Sequence, residues 1–300
     1  MSVVVALGGN ALMRPGERGT AAEQRANLRA TCEALRPLLD QELVLTHGNG
    51  PQVGNELLRQ ERAADEVPAL PLWLAVAQTQ AEIGALVESE LEPVAGRPVA
   101  CLLTHVLVAD DDPAFEKPTK PVGPFYDEAK AHELERERGW QVVHDAGRGW
   151  RRVVPSPLPL AVVELDAIRA LLVAGTIVVA CGGGGIPATR RGAHLAGLDA
   201  VIDKDRASSL LARELGADRL VILTEVDAVS RDFGGAKQKE LRELSADEAE
   251  ALVPELAAGS MRPKVEASVE FVRATGHAAL ITSPAALGEA IEGRAGTRIS

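Results

Sequence analysis

Three short glycine blocks stand where apolar runs end: VVALGGNAL around Gly8 and Gly9, LVLTHGNGPQVG around Gly48 and Gly50, and VVACGGGGIP from Gly182 to Gly185. Glycine has no Cβ and admits positive φ, so backbone N–H groups can close around an anion at such places. None of the blocks spells G-x-x-x-x-G-K-[ST], and none has dinucleotide spacing in a strand–turn–helix setting. One glycine turn says little, since many α/β turns use glycine for geometry alone. Three on one sheet point to a shared anion site, because ligands of parallel sheets bind beyond the carboxyl ends of the strands.

Glycine turns supply dipoles, but moving a phosphoryl group also requires full cations. Three lysines have unusual settings. Lys120 lies in KPTKPVGPF, where flanking prolines stiffen the backbone and direct the side chain. Lys204 lies in VIDKDRASSL, at an expected helix start where the macrodipole disfavours a cation, between Asp203 and Asp205. Lys264 lies in GSMRPKVEAS, just inside a helix that Pro263 opens. Solvation is the ordinary fate of a single surface lysine, and an aspartate at a helix start is commonly a cap. Spacing alone leaves Asp203 and Asp205 open between cap and lysine organiser.

Other chemistries have less support. There is no H-E-x-x-H and no G-x-S-x-G, and the six histidines lack ligand spacing, so no protein-held metal is expected. His47, beside Gly48, either contacts a ligand or bonds to backbone, the second being the commoner role. Arg148, Arg151 and Arg152 either reach an anion or hold their own segment together.

The elements that must position these groups alternate along the chain. Strands are expected at Ser2–Leu7, Glu42–Thr46, Val99–Val108, Thr176–Cys181, Arg219–Thr224 and Ala278–Thr282. Helices are expected at Thr20–Asp40 with a Thr20/Glu23 capping box, near Val53–Ala64, and at Leu72–Leu91, Asp127–Arg138 and Leu160–Ala174. Further helices are expected at Lys204–Leu215, Ala246–Ala257 and Lys264–Thr275, with a short terminal one. This order predicts a mainly parallel sheet covered on both faces. Between Asp110 and Pro159 the composition changes to acidic runs, prolines and tryptophans, which reads as an inserted subdomain folding over something.

Composition bounds the partners. With 46% hydrophobic and 25% charged residues, the chain is that of a soluble globular protein. A net charge of −11 and scarce aromatics argue against nucleic acid. No apolar stretch approaches a membrane span, the N-terminal MSVVVALGGN lacks signal-peptide features, and three isolated cysteines suit a reducing compartment. A cytoplasmic protein is expected.

The blocks ALGGNAL, THGNGPQVG, PTKPVGPF, DAGRGWRRVVPSP, CGGGGIP, VIDKD and GSMRPK, in this order from end to end, together resemble the carbamate kinases of the amino acid kinase superfamily. The resemblance implies one amino acid kinase domain: an α/β, three-layer αβα sandwich with an open, mostly parallel eight-stranded sheet. It implies a carbamate-binding lobe over about 1–200 with a mobile lid inserted at about 110–159. A nucleotide-binding lobe would follow over about 201–300. The implied reaction is ATP + carbamate ⇌ ADP + carbamoyl phosphate, with Mg²⁺ carried by the nucleotide, in a homodimer serving arginine catabolism.

Position by position, Lys120, Lys204, Asp205 and Lys264 would be catalytic. Gly8, Gly9, Asn10, Gly48, Asn49, Gly50, Gly182, Gly183 and Asp203 would line the substrate and phosphate site. Thr224, Glu225, Val226 and Met261 would meet the nucleotide, Glu225 departing from the residue many relatives have. The alternatives are another kinase of the superfamily acting on a small acid or on UMP, and a non-catalytic nucleotide or metabolite sensor on the same fold.

Overall fold

The computed structural model describes all residues except Pro15, 146–148, Ala236 and Ala258. The chain begins β1 (Ser2–Leu7), α1 (Ala21–Ala34), β2 (Glu42–His47), α2 (Gly50–Ala63), α3 (Leu72–Ala95), β3 (Val99–Cys101) and β4 (His105–Leu107). It continues β5 (Lys120–Tyr126), α4 (Glu128–Arg138), β6 (Gln141–Asp145), β7 (Gly149–Val154), β8 (Ala161–Val162) and α5 (Leu165–Val173). Next come β9 (Ile177–Val179), β10 (Ile186–Arg191), β11 (His194–Gly197), α6 (Lys204–Leu215), β12 (Arg219–Leu223), β13 (Val229–Arg231) and β14 (Lys239–Leu241). The last elements are β15 (Glu243–Leu244), α7 (Ala246–Leu252), α8 (Met261–Thr275), β16 (Ala279–Thr282), α9 (Leu287–Ile291) and β17 (Thr297–Ile299).

Among the described residues the central sheet has eight strands in the order β15–β17–β16–β12–β1–β2–β9–β3. Its ladders are parallel except where β17 meets β16. Side chains alternate across a strand, and here each face has its own core. Val4, Ala6, Val44, Val178 and Ile222 pack with α6 and α8. Val3, Val5, Leu7, Leu45 and Val179 pack with α1 and α3. A sheet buried on both faces is why these strands read as continuous apolar runs.

Among the described residues three smaller sheets stand beside the central one: β11–β10–β4–β8, the hairpin β13–β14, and β5–β7–β6. The last, with α4, is built from the compositionally distinct segment. Its base is closed where the Leu158 amide donates to Asp112 Oδ2 at 2.9 Å. Among the described residues no helix is long and apolar enough to cross a membrane.

Several expected boundaries move. The run Val99–Val108 is two strands, because the chain leaves the central sheet at Leu102–Thr104. Thr104 is held there by Gln80, which accepts its amide at 2.6 Å, and by Ile186, whose amide donates to its carbonyl at 2.8 Å. Leu160–Val162 is not the first turn of a helix, since Leu160 donates to Leu107 and β8 pairs with β4. The helix of α7 stops at Leu252, where Pro254 forces a short tighter turn. Helix α8 starts at Met261, with Pro263 inside its first turn. The capping box of α1 forms as expected: Thr20 Oγ1 accepts from the Glu23 amide, and Glu23 accepts from the Thr20 amide.

Candidate active site

The N-terminus of α6 gathers the charges. Asp203 is its N-cap, accepting the Asp205 amide at 2.9 Å and the Arg206 amide at 3.4 Å on one oxygen. The other oxygen takes Lys120 Nζ at 2.6 Å, from the first residue of β5. Asp203 is therefore cap and lysine partner at once. Asp205 is buried and bridges two lysines: Lys204 Nζ on Oδ1, and Lys264 Nζ from α8 on Oδ2 at 3.0 Å. A serine one turn on from each lysine, Ser208 and Ser268, donates to the lysine's carbonyl at 2.6 and 2.8 Å. Ser208 also shares a 2.6 Å hydrogen bond with Thr46, which fixes α6 against β2.

Burial shapes the ionisation of this cluster. It would push the Asp203 carboxyl up, but Lys120 and its hydrogen bond, with Lys204, outweigh it and hold the carboxyl far below the usual range. Asp205 is likewise held low, against burial, by Lys204 and Lys264. Burial draws the Lys204 ammonium down, opposed by Asp205. Three lysines face two ionised aspartates, which leaves a surplus of positive charge for an anion.

The glycine turns close the other side. A Cβ on Gly8 would sit 2.6 Å from the Leu223 carbonyl oxygen, so β1 and β12 approach there only through glycine. A Cβ on Gly48 would lie 3.2 Å from Lys204 Cδ, placing that lysine's stem along the turn after β2. Gly183 has φ +66 and its hydrogen faces Asn49, whose Nδ2 would be 2.3 Å from a Cβ. Asn49 in turn donates to Thr79 Oγ1 at 2.9 Å, and Gln80 donates to the Gly182 carbonyl at 2.8 Å. Gly50 opens α2. These contacts bring the turns after β2 and β9 together, with α3 behind them. Cys181, at the head of the third turn, has φ 49, a left-handed conformation rare outside glycine.

His47 lies under this turn, fully buried, its Nδ1 at 3.0 Å from the Gly48 carbonyl oxygen. That contact requires a proton on Nδ1, so the neutral ring bonds to backbone. Burial pushes its pKa down to about 4, with Lys204 adding to the effect against the Gly48 bond. Arg151 donates to the Gly123 carbonyl at 3.0 Å, and the Arg152 guanidinium lies 4.7 Å from the Trp140 ring centre. Both make contacts within the inserted segment. Arg148 and the AGR of DAGRGW fall outside the described residues.

A cavity of about 1080 Å³ opens beside this cluster. Its lining includes Gly8, Gly9, Asn10 and Lys264, together with Thr224, Glu225, Val226 and Met261. Lys120, Lys204, Asp203 and the turns after β2 and β9 are not part of its lining. Asp227, within the same LTEVDAV segment, also lines it, as do Ser230, Phe233 and Ser283, which no motif of the sequence marks. Ser283 donates to Asp227 Oδ1, joining the ends of two strands 56 residues apart. Strand neighbours in the sheet would have suggested this pair; spacing along the chain cannot. Among the described residues no group of three acids, histidines or cysteines gathers where it could hold a metal.

Residues 1–283 match the family model described as the amino acid kinase family. The carbamate kinase of Thermococcus kodakarensis is 44% identical over 309 aligned residues, covering 99% of this chain and 98% of that protein. That of Halobacterium salinarum is 46% identical, covering 99% and 97%. The chain belongs to the carbamate kinases of the amino acid kinase family. Among solved structures, carbamate kinase from Giardia lamblia bound to AMP-PNP superposes with a TM-score of 0.92 at 40% identity, covering 99% of this chain and 98% of that one. The N-acetylglutamate synthase of Neisseria gonorrhoeae, at 18% identity and a TM-score of 0.62, shares the fold alone. The three-layer architecture with its open, mostly parallel sheet is thus the family's.

Proposed function

We propose that the protein catalyses reversible phosphoryl transfer between ATP and carbamate, giving ADP and carbamoyl phosphate. The observation that carries this reading is the Lys204–Asp205–Lys264 bridge, set between a nucleotide-sized cavity and two facing glycine turns. Carbamate is already an anion, so its oxygen can attack the γ-phosphorus without losing a proton to a base. As the new P–O bond forms, the bond to ADP breaks, and no proton need move. What such a reaction requires is in-line placement of two anions and neutralisation of charge on the moving group. A site of lysines and backbone amides without a catalytic histidine fits that requirement, and the bonded, neutral His47 agrees.

In this reading the nucleotide occupies the cavity with its phosphates toward Gly8, Gly9 and Lys264. Magnesium enters with the nucleotide as part of the substrate, since both aspartates of the cluster are already held by lysines. Carbamate lies on the side of Gly48–Gly50 and Gly182–Gly183. Lys120 reaches it from the small sheet, which serves as a lid shielding hydrolysable carbamate and carbamoyl phosphate from water. The proposal extends to a cytoplasmic homodimer working in arginine catabolism, and sedimentation at micromolar concentration checks the dimer.

The deciding experiment supplies carbamoyl phosphate and Mg-ADP to the pure protein and follows ATP through a coupled assay. Turnover is expected with this pair and not with acetyl phosphate or UDP in the same panel. A folded protein without turnover on carbamoyl phosphate sinks the proposal.

A further inference from the structure

Where α2 meets the small sheet, charged and aromatic side chains gather away from both the cavity and the lysine–aspartate cluster. Glu61, near the end of α2, has its Oε2 3.4 Å from Arg138 Nη1, at the end of α4. The Arg138 guanidinium lies 5.7 Å from the Trp140 ring centre and that of Arg152 lies 4.7 Å from it. Tyr126 packs on the same indole, ring centres 6.1 Å apart. The Arg138 side chain is 41% exposed but that of Glu61 only 20%, so the acid of the pair is largely withdrawn from water. Burial raises the Glu61 carboxyl, while Arg138 and Arg152 oppose it.

Seven residues earlier on α2, Gly54 meets Gly123 of β5 so closely that a Cβ on Gly54 would fall 2.5 Å from Gly123 Cα. The small sheet is therefore seated on α2 at two places about 10 Å apart along the helix. Helix α2 itself starts at Gly50, in the glycine turn after β2. Gly123 is three residues from Lys120, whose ammonium rests on Asp203. One helix thus carries a glycine turn at its start and the seat of the Lys120 sheet along its length.

We propose that Glu61 is a positioning residue for the reaction: its contact with Arg138, whose guanidinium shares the Trp140 ring with Arg152, fixes the small sheet on α2 and so keeps Lys120 over the carbamate side. The close glycine contact permits the seat, and the charged contact fixes its angle. Lys120 then reaches the same frame that holds Gly48 to Gly50. The nucleotide cavity, lined by other elements, does not depend on this clamp.

The proposal rests on the carbamate kinase reading, and its test separates the two. Glu61→Gln is compared with wild type in KM for carbamoyl phosphate, KM for Mg-ADP, and hydrogen exchange of the β5 and β7 amides. The expected result is a KM for carbamoyl phosphate raised about five-fold, an unchanged KM for Mg-ADP, and faster exchange in both strands. Glu61→Asp should recover part of the loss, and Glu61→Arg combined with Arg138→Glu should recover more than either single change. Unchanged exchange and KM overturn the proposal, as does an equal rise in both KM values. If the wild type does not turn over carbamoyl phosphate, the functional reading fails, while the exchange comparison still decides whether Glu61 clamps the sheet.

Discussion

Asp205 holds one lysine ammonium on each oxygen, and Asp203 a third, so the cluster's contribution to stability depends on pH with a definite sign. Both carboxyls are lowered from an ordinary 3.8 by their lysines, against burial. As pH falls, the unfolded chain binds these protons first; the stabilisation is full above about pH 3.8 and is lost below it. His47 acts earlier in the same direction. Burial takes its imidazole from 6.5 to about 4, so between those values the unfolded chain binds a proton that the native protein refuses. Stability should therefore fall with decreasing pH across pH 6.5 to 4, His47 contributing up to about one proton to the slope. Urea unfolding of wild type and His47→Asn at several pH values checks this. The variant is less stable throughout, but its slope in that window should be shallower; an equal slope refutes the assignment.

The glycine turns work as elements, because each contributes by letting two strands' ends or a helix come close. Gly183→Ala would place a Cβ 2.3 Å from Asn49 Nδ2 at φ +66. The strain costs about 1–3 kcal/mol, and Asn49 must leave its bond to Thr79. Turnover should fall on the order of 10²-fold, with KM for Mg-ADP unchanged because Gly183 does not line the cavity. Gly216→Ala is the control, having the same φ of +66 and nothing within 4 Å of its Cβ. It should lose stability but keep turnover, and equal losses in both variants would reduce Gly183 to a strained turn. At this scale the sequence was legible where a period or a glycine marks the chain. The strand–turn–helix order, the Thr20 cap and the three glycine turns all have such marks. The break in Val99–Val108 has none, since the run stays apolar while Gln80, 24 residues earlier, captures Thr104. The Asp227–Ser283 pair and the Glu61–Arg138 contact were invisible for the same reason: sheet order and packing create them across long stretches of chain.

Across the whole molecule, a protein of net charge −11 must draw in two anions, so its positive charge has to be local. The sheet order supplies the layout. β1 stands centrally, with β12 and β16 on one side and β2 and β9 on the other. The cavity spans the ends of β1, β12 and β16, whereas the paired glycine turns follow β2 and β9. Lys264 belongs to both sides, lining the cavity and sharing Asp205 with Lys204. Nucleotide binding should then be separable from Lys120. At 100 times its Kd, a ligand of the native state adds about 2.7 kcal/mol, which for a chain of this size raises Tm by about 5 °C. Mg-ADP should raise Tm equally in wild type and Lys120→Ala at the same concentration. In Lys264→Ala, which removes a cation from the cavity wall, most of the shift should vanish. If Lys120→Ala loses the shift as fully as Lys264→Ala, the two halves of the site are not independent, and Lys120 belongs to the nucleotide rather than to carbamate.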